Sequence, residues 1–144
     1  MSRYGRRRFL ASTLGFTGLA LSGCFGRRSD PSAVADALNS AVTTLPVYVD
    51  GAVQFQDSVS AGTTIGGVLT LDGGDFAEVA DSLKAILETI IRTYVEQPGA
   101  DTAFVRVEGH PQSDQAVRVL AVDVVPASNG ANVTTDDLIE YFDV

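Results

Sequence analysis

The stretch from Asp72 to Val95, DGGDFAEVADSLKAILETIIRTYV, decides the fold. Asp72-Gly73-Gly74 is a turn signal, and Asp75 followed three residues later by Glu78 is a relative of the capping box that opens helices. From there apolar residues recur at three- and four-residue spacing: Phe76, Val79, Ala80, Leu83, Leu87, Ile90 and Tyr94 form one stripe. Glu88 stands four residues before Arg92 on the wet side, a small stabilising pair. Gln97-Pro98-Gly99 then stops the pattern. The spacing predicts a helix over 76–95 with one face to bury.

On both sides of this helix the period changes to two. Upstream, Val47, Val49, Val53 and Phe55 alternate with Tyr48, Asp50, Gln54 and Gln56, as in a half-buried strand, and Gly51 marks a bulge or a close contact. After Ser58 to Gly62 a second strand runs over 63–71, with Ile65, Leu69 and Leu71 on one face and a weak middle at Gly66-Gly67. Further upstream, Asp30-Pro31 is a helix start, and Val34, Leu38, Ala41, Val42 and Leu45 predict a helix over 32–43 that Pro46 ends.

Downstream, 102–108 alternates again with Ala103, Val105 and Val107 on one side, and 108–115 reads as a polar turn. A fourth strand is predicted over 116–125. Its buried face is ambiguous, because Val117, Val119 and Ala121 compete with Leu120, Val122 and Val124. After a loop over 126–132, Thr134 caps a short final helix through Asp137, with Leu138, Ile139, Tyr141 and Phe142 to bury. The order helix, strand, strand, helix, strand, strand, helix predicts one α+β domain over 31–144, an antiparallel four-stranded sheet with helices packed on one face.

Charge divides the chain of 144 residues in two. Arg3, Arg6, Arg7 and Arg8 stand at the start without an acid among them, and the part after Cys24 holds 6 basic against 18 acidic side chains, net −12. Clustered Lys and Arg are what phosphate binding needs, and this body has one lysine, Lys84, so nucleic acid is excluded as a ligand class. Cys24 is the only cysteine, so no internal disulfide can form and stability must come from packing.

The first 24 residues read as a basic zone to Arg8, a mildly apolar zone from Phe9 to Leu21, and small residues leading into Cys24. The apolar zone is interrupted by Ser12, Thr13, Gly15, Thr17 and Gly18, too short and too polar for a membrane-spanning helix of about 20 residues. Arg6-Arg7-Arg8-Phe9-Leu10 resembles the twin-arginine export signal through Arg6, Arg7, Phe9 and Leu10, although Gly5 and Ala11 depart from its flanks. The general secretory route is the alternative. Leu21-Ser22-Gly23-Cys24 resembles a bacterial lipobox. This resemblance to bacterial lipoprotein precursors implies a signal cleaved after residue 23, a lipidated Cys24 and a short tether over 24–30. It also implies anchorage to the outer face of the cell membrane by palmitate-type acyl chains. It covers the signal region alone.

No reactive constellation stands out in the body. His110, the single histidine, lies in Gly109-His110-Pro111 and is expected as an exposed turn residue. It lacks the spaced ligands of a zinc site, and no Ser, His, Asp set or phosphate-binding loop is present. Asp72-Gly73-Gly74-Asp75 is better explained by turn and cap than by calcium, and Asp136-Asp137 by a helix start. Asn132-Val133-Thr134 matches a glycosylation sequon by coincidence. The expectation is therefore a non-catalytic binding or interaction module of the cell envelope, with no metal or cofactor and with an envelope protein as candidate partner. A carrier of a small apolar ligand between sheet and helices, with room at Gly51, Gly66 and Gly67, is the alternative, and a hydrolase ranks below both.

Overall fold

The computed structural model describes residues 29–130 and 132–144. The export signal with Arg6, Arg7, Phe9 and Leu10, the lipobox Leu21, Ser22, Gly23 and Cys24, and most of the tether lie outside the described residues. Asp30 opens the first helix, α1 (Pro31–Val42), by accepting the Ser32 N–H at 3.0 Å, while Pro31 fills the first helical position, where no intrahelical donor is needed. Val34, Leu38 and Val42 make its buried side.

Strands β1 (Tyr48–Ser58) and β2 (Gly62–Leu71) form an antiparallel hairpin in which Val53 faces Gly67 and Phe55 faces Ile65. Gly51 meets both readings of its sequence. The register slips beside it, between Tyr48 and Asp50, so Val49 is the extra residue and stands exposed. Gly51 itself has a φ of +108°, and a side chain there would overlap the Val68 carbonyl oxygen.

The helix that the sequence predicts over 76–95 is α2 (Phe76–Val95). The Asp75 carboxylate accepts the Glu78 N–H at 2.9 Å, and the Glu78 carboxylate reaches back to the Gly74 N–H at 2.7 Å. That is a capping box shifted one residue outward. Its buried arc is wider than a single stripe. Ser82, Ile86 and Ile91 join Val79, Leu83, Leu87, Ile90 and Tyr94, and Phe76 is left half exposed. The widening has a packing cause, since α2 touches α1 and β3 as well as the short helices that follow them.

A fully antiparallel sheet does not form. After α2 the chain re-enters the sheet as β3 (Phe104–Pro111), which pairs parallel with β2, Ile65 beside Val105 and Leu69 beside Gly109. A helix of 20 residues, about 30 Å long, returns the chain to the end of the sheet from which β2 set out. The next strand then runs in the same direction as β2. The predicted fourth strand is also replaced. Only β4 (Val119–Leu120) is extended, and α3 (Ala121–Val124) follows at once because the Asp123 carboxylate accepts the Leu120 N–H at 2.8 Å and closes a helical turn. The ambiguity of faces over 116–125 came from this switch, since Ala121 and Val125 are buried four residues apart, at helical spacing.

Strand β5 (Val133–Thr134) shares the far edge of β3 with β4. It pairs antiparallel with the start of β3 while β4 pairs antiparallel with its end. The sheet is therefore mixed, in the order β1, β2, β3, with β4 and β5 side by side beyond. Helix α4 (Thr135–Phe142) begins at Thr134, whose hydroxyl donates to Asp137 Oδ2 at 2.9 Å and accepts the Asp137 N–H at 3.3 Å. The core lies between the inner face of the sheet and the helices, built on Leu38, Ile65, Leu69, Leu83, Leu87, Ile90 and Leu138, all with no exposed surface.

Candidate binding face

Strand alternation assigns the inner residues to odd numbers on β2 and β3, Ile65, Gly67, Leu69 and Leu71 with Val105, Val107, Gly109 and Pro111. Even-numbered residues point the other way, and the register sets them in rows across the sheet. Gln56 lies beside Thr64 and Phe104, Gln54 beside Gly66 and Arg106, and Ala52 beside Val68 and Glu108. This outer face is largely open. Ala52, Gln54, Gln56 and Arg106 are exposed, Val68 keeps 59% of its surface in solvent, and Phe104 and Val122 are also exposed. Isolated apolar side chains at a surface need no explanation, but Val68 and Phe104 share one flat face, and Val122 of α3 lines the cleft that Arg106 and Glu108 border.

At one corner the face carries a polar cluster. Glu108 Oε2 accepts from Arg118 Nε at 2.8 Å, and Glu108 Oε1 stands 3.2 Å from His110 Nε2. The other ring nitrogen, His110 Nδ1, lies 3.1 Å from the carbonyl oxygen of Gln115. A carbonyl only accepts, so Nδ1 carries the hydrogen, and only the imidazolium form can donate to both neighbours. Partial burial pushes the Glu108 carboxyl up, but the hydrogen bonds and charges of His110 and Arg118 outweigh it and hold the group below the usual carboxylate range. His110 is thus not the exposed turn residue its neighbours Gly109 and Pro111 suggest. Strand β3 continues to Pro111, and the ring is buried under the 112–115 turn, tying that turn to the strand. Both ring nitrogens are engaged, so the imidazole is a clasp rather than an open base. No sequence signal short of strand register links Glu108, His110 and Arg118.

A shallow cleft of about 220 Å³ opens beside the cluster, between β4 and β5, lined by Arg106, Glu108, Arg118, Leu120, Val122 and Asn132 among others. A second depression of about 380 Å³ lies under α4, where Pro126 and Ala127 meet Tyr141. Asp137 sits at its wall with its oxygens engaged by the Ser128 N–H at 3.1 Å and the Thr134 N–H at 2.8 Å. Burial raises the Asp137 pKa, and these donors more than offset that, leaving it lowered. Asp136 and Asp137 do stand at a helix start, as their sequence implies, with Asp136 accepting from the Thr102 hydroxyl at 2.9 Å.

The Asp72-Gly73-Gly74-Asp75 segment is turn and cap. Among the described residues no group of three or more His, Cys, Asp or Glu is arranged to hold a metal ion. None of the described helices is long and apolar enough to cross a membrane. The glycines named as interior room do not supply it. A side chain at Gly67 would come within 2.5 Å of the Ala52 carbonyl oxygen, the space at Gly51 is taken by β2, and Gly66 faces outward. The chain matches no protein-family model, no curated protein and no solved structure.

Proposed function

We propose that the protein is a membrane-anchored extracytoplasmic lipoprotein whose domain is a non-catalytic binding module, presenting the outer face of its sheet to a protein of the cell envelope. The carrying observation is the asymmetry of the sheet. Its inner face is covered by helices, while Ala52, Val68, Phe104 and Val122 lie bare on or beside the other. The lipobox-like Leu21-Ser22-Gly23-Cys24 supports the address, and five residues from Phe25 to Ser29 extend no more than about 17 Å, keeping the face close to the bilayer. The acidic body is repelled by anionic headgroups, which suits a domain that hangs near lipid without lying on it.

Two measurements test this reading. A photo-activated cross-linker placed at Val68 in intact cells captures a specific protein, while the same probe at Asp81, on the exposed side of α2, does not; equal capture from both positions rejects the open face as the docking surface. Metabolic labelling with palmitate marks the protein and the label is lost in Cys24→Ala; label that persists in the variant rejects the anchor.

A further inference from the structure

Gly66 and Gly67 are neighbours in β2 with opposite reasons to be glycine. At Gly67 the fold demands it, because a Cβ would stand 2.5 Å from the Ala52 carbonyl oxygen. At Gly66 nothing in the fold does. Its φ lies outside the left-handed region, and an added Cβ would meet only the Arg106 carbonyl oxygen, at an ordinary 3.7 Å. Glycine within a strand costs about 0.5–1 kcal/mol through lost chain entropy, and strand glycines that packing does not require are often found where something else approaches the backbone. Gly66 opens a dimple in the middle of the outer face, with Gln54 on one side and Arg106 on the other.

Arg106 supplies the chemistry of that dimple. The described chain holds 18 acidic side chains and four basic ones, Lys84, Arg92, Arg106 and Arg118. Arg92 is paired with Glu88 at 3.0 Å and Arg118 with Glu108 at 2.5 Å. Arg106 has no carboxylate within ion-pair distance among the described residues; its guanidinium lies 5.8 Å from the centre of the Phe104 ring, a contact that orients the group and leaves its donors open. Lys84 likewise has no ion pair among the described residues, but it stands on α2 over the Tyr141 ring of α4 and not on a strand. An acid-rich domain has left an arginine uncompensated beside a glycine that its own packing does not need.

We propose that Arg106 and the dimple at Gly66 receive a carboxylate side chain of the partner protein, with Val68 and Phe104 bounding an apolar contact around it. The inference rests on the open-face reading and names its anchor point. A protein carboxylate fits better than a lipid phosphate, because the surrounding net negative charge opposes approach to an anionic bilayer.

The test uses the full-length protein in intact cells, with the cross-linker at Val68 and two substitutions. Arg106→Gln removes the charge, and Gly66→Val fills the dimple while leaving the strand free to form. Both are expected to reduce the adduct at least tenfold, and Gly66→Val is expected to keep or raise the thermal midpoint, which separates blocked docking from misfolding. Exchanging the charges, Arg106→Glu against lysine at the captured partner's contacting acid, restores the adduct. An adduct that forms equally with both variants overturns the inference and leaves the open-face reading standing; the absence of any adduct from Val68 in the unmodified chain removes both. An Arg106-dependent adduct with phospholipid or with a second copy of this chain also overturns it.

Discussion

Asn39, on α1, seals the free edge of the sheet at Val53. Its side-chain nitrogen donates to the Val53 carbonyl oxygen at 2.6 Å and its oxygen accepts the Val53 N–H at 2.8 Å, so one amide reproduces what a neighbouring strand would supply. An unpaired strand edge invites pairing with other chains, and covering it is a recurrent protection. Replacing Asn39 by alanine is expected to destabilise the fold by about 1–3 kcal/mol in chemical denaturation, since two buried-side backbone groups lose their partner. Light scattering should show more self-association than in the unmodified chain. Asn39→Asp keeps the acceptor for the N–H but sets a carboxylate against the Val53 carbonyl, and should fall no closer to the unmodified chain than alanine does.

The two adjacent glycines give a paired prediction. Gly67→Ala forces β1 and β2 apart and should lower stability by about 1–3 kcal/mol, the range of overpacking. Gly66→Ala has room and should leave stability unchanged or raise it by up to about 1 kcal/mol. Urea midpoints of the two variants, taken side by side, decide the matter.

Acid unfolding should follow Glu108 and Asp137. Both carboxyl groups are held below their ordinary range in the folded chain, so each contributes stability that is present above the unfolded-state value of about 4 and is lost as pH falls through the lower folded value. Glu108→Gln should flatten the acid limb of the stability profile below about pH 4.5, while leaving its shape near neutrality unchanged. A limb as steep as that of the unmodified chain would assign the loss to other carboxylates.

At the last helix, Thr134→Val removes the hydroxyl that both caps α4 and binds Asp137, for a loss of about 1–2 kcal/mol. Thr134→Ser retains the oxygen and should recover most of it. The comparison isolates the cap from the methyl group, read by thermal melting.

Elements that depend on local spacing were legible in the chain. Asp30-Pro31, Asp75 with Glu78, and Thr134 with Asp137 each place a helix start correctly, and two-residue alternation finds β1 and β2. What failed depended on events between distant segments. Nothing in the alternation of Val105 and Val107 says whether β3 runs with β2 or against it; the crossing of α2 decides that. The predicted strand over 116–125 is cut short by a contact that spacing does not reveal, the Asp123 carboxylate capturing the Leu120 N–H. The same holds for the outer face. Gly66, Arg106 and Val68 become neighbours of a single patch only through register, and His110 becomes buried only because β3 outlasts the polar turn predicted over 108–115.

The crossover through α2 also orders events in time. The β1–β2 hairpin closes over a few residues and can form in microseconds, whereas bringing β3 beside β2 requires a loop of some thirty residues to close around a finished helix. After α2, β4 and β5 lie on the edge of β3, and α4 continues from β5 and packs on α2. Until β3 arrives, the hairpin offers the inner row of β2 and an unpaired edge to any extended segment nearby. The segment from β3 onward therefore covers what the hairpin would otherwise expose, and truncations within it should aggregate rather than yield a smaller soluble fold.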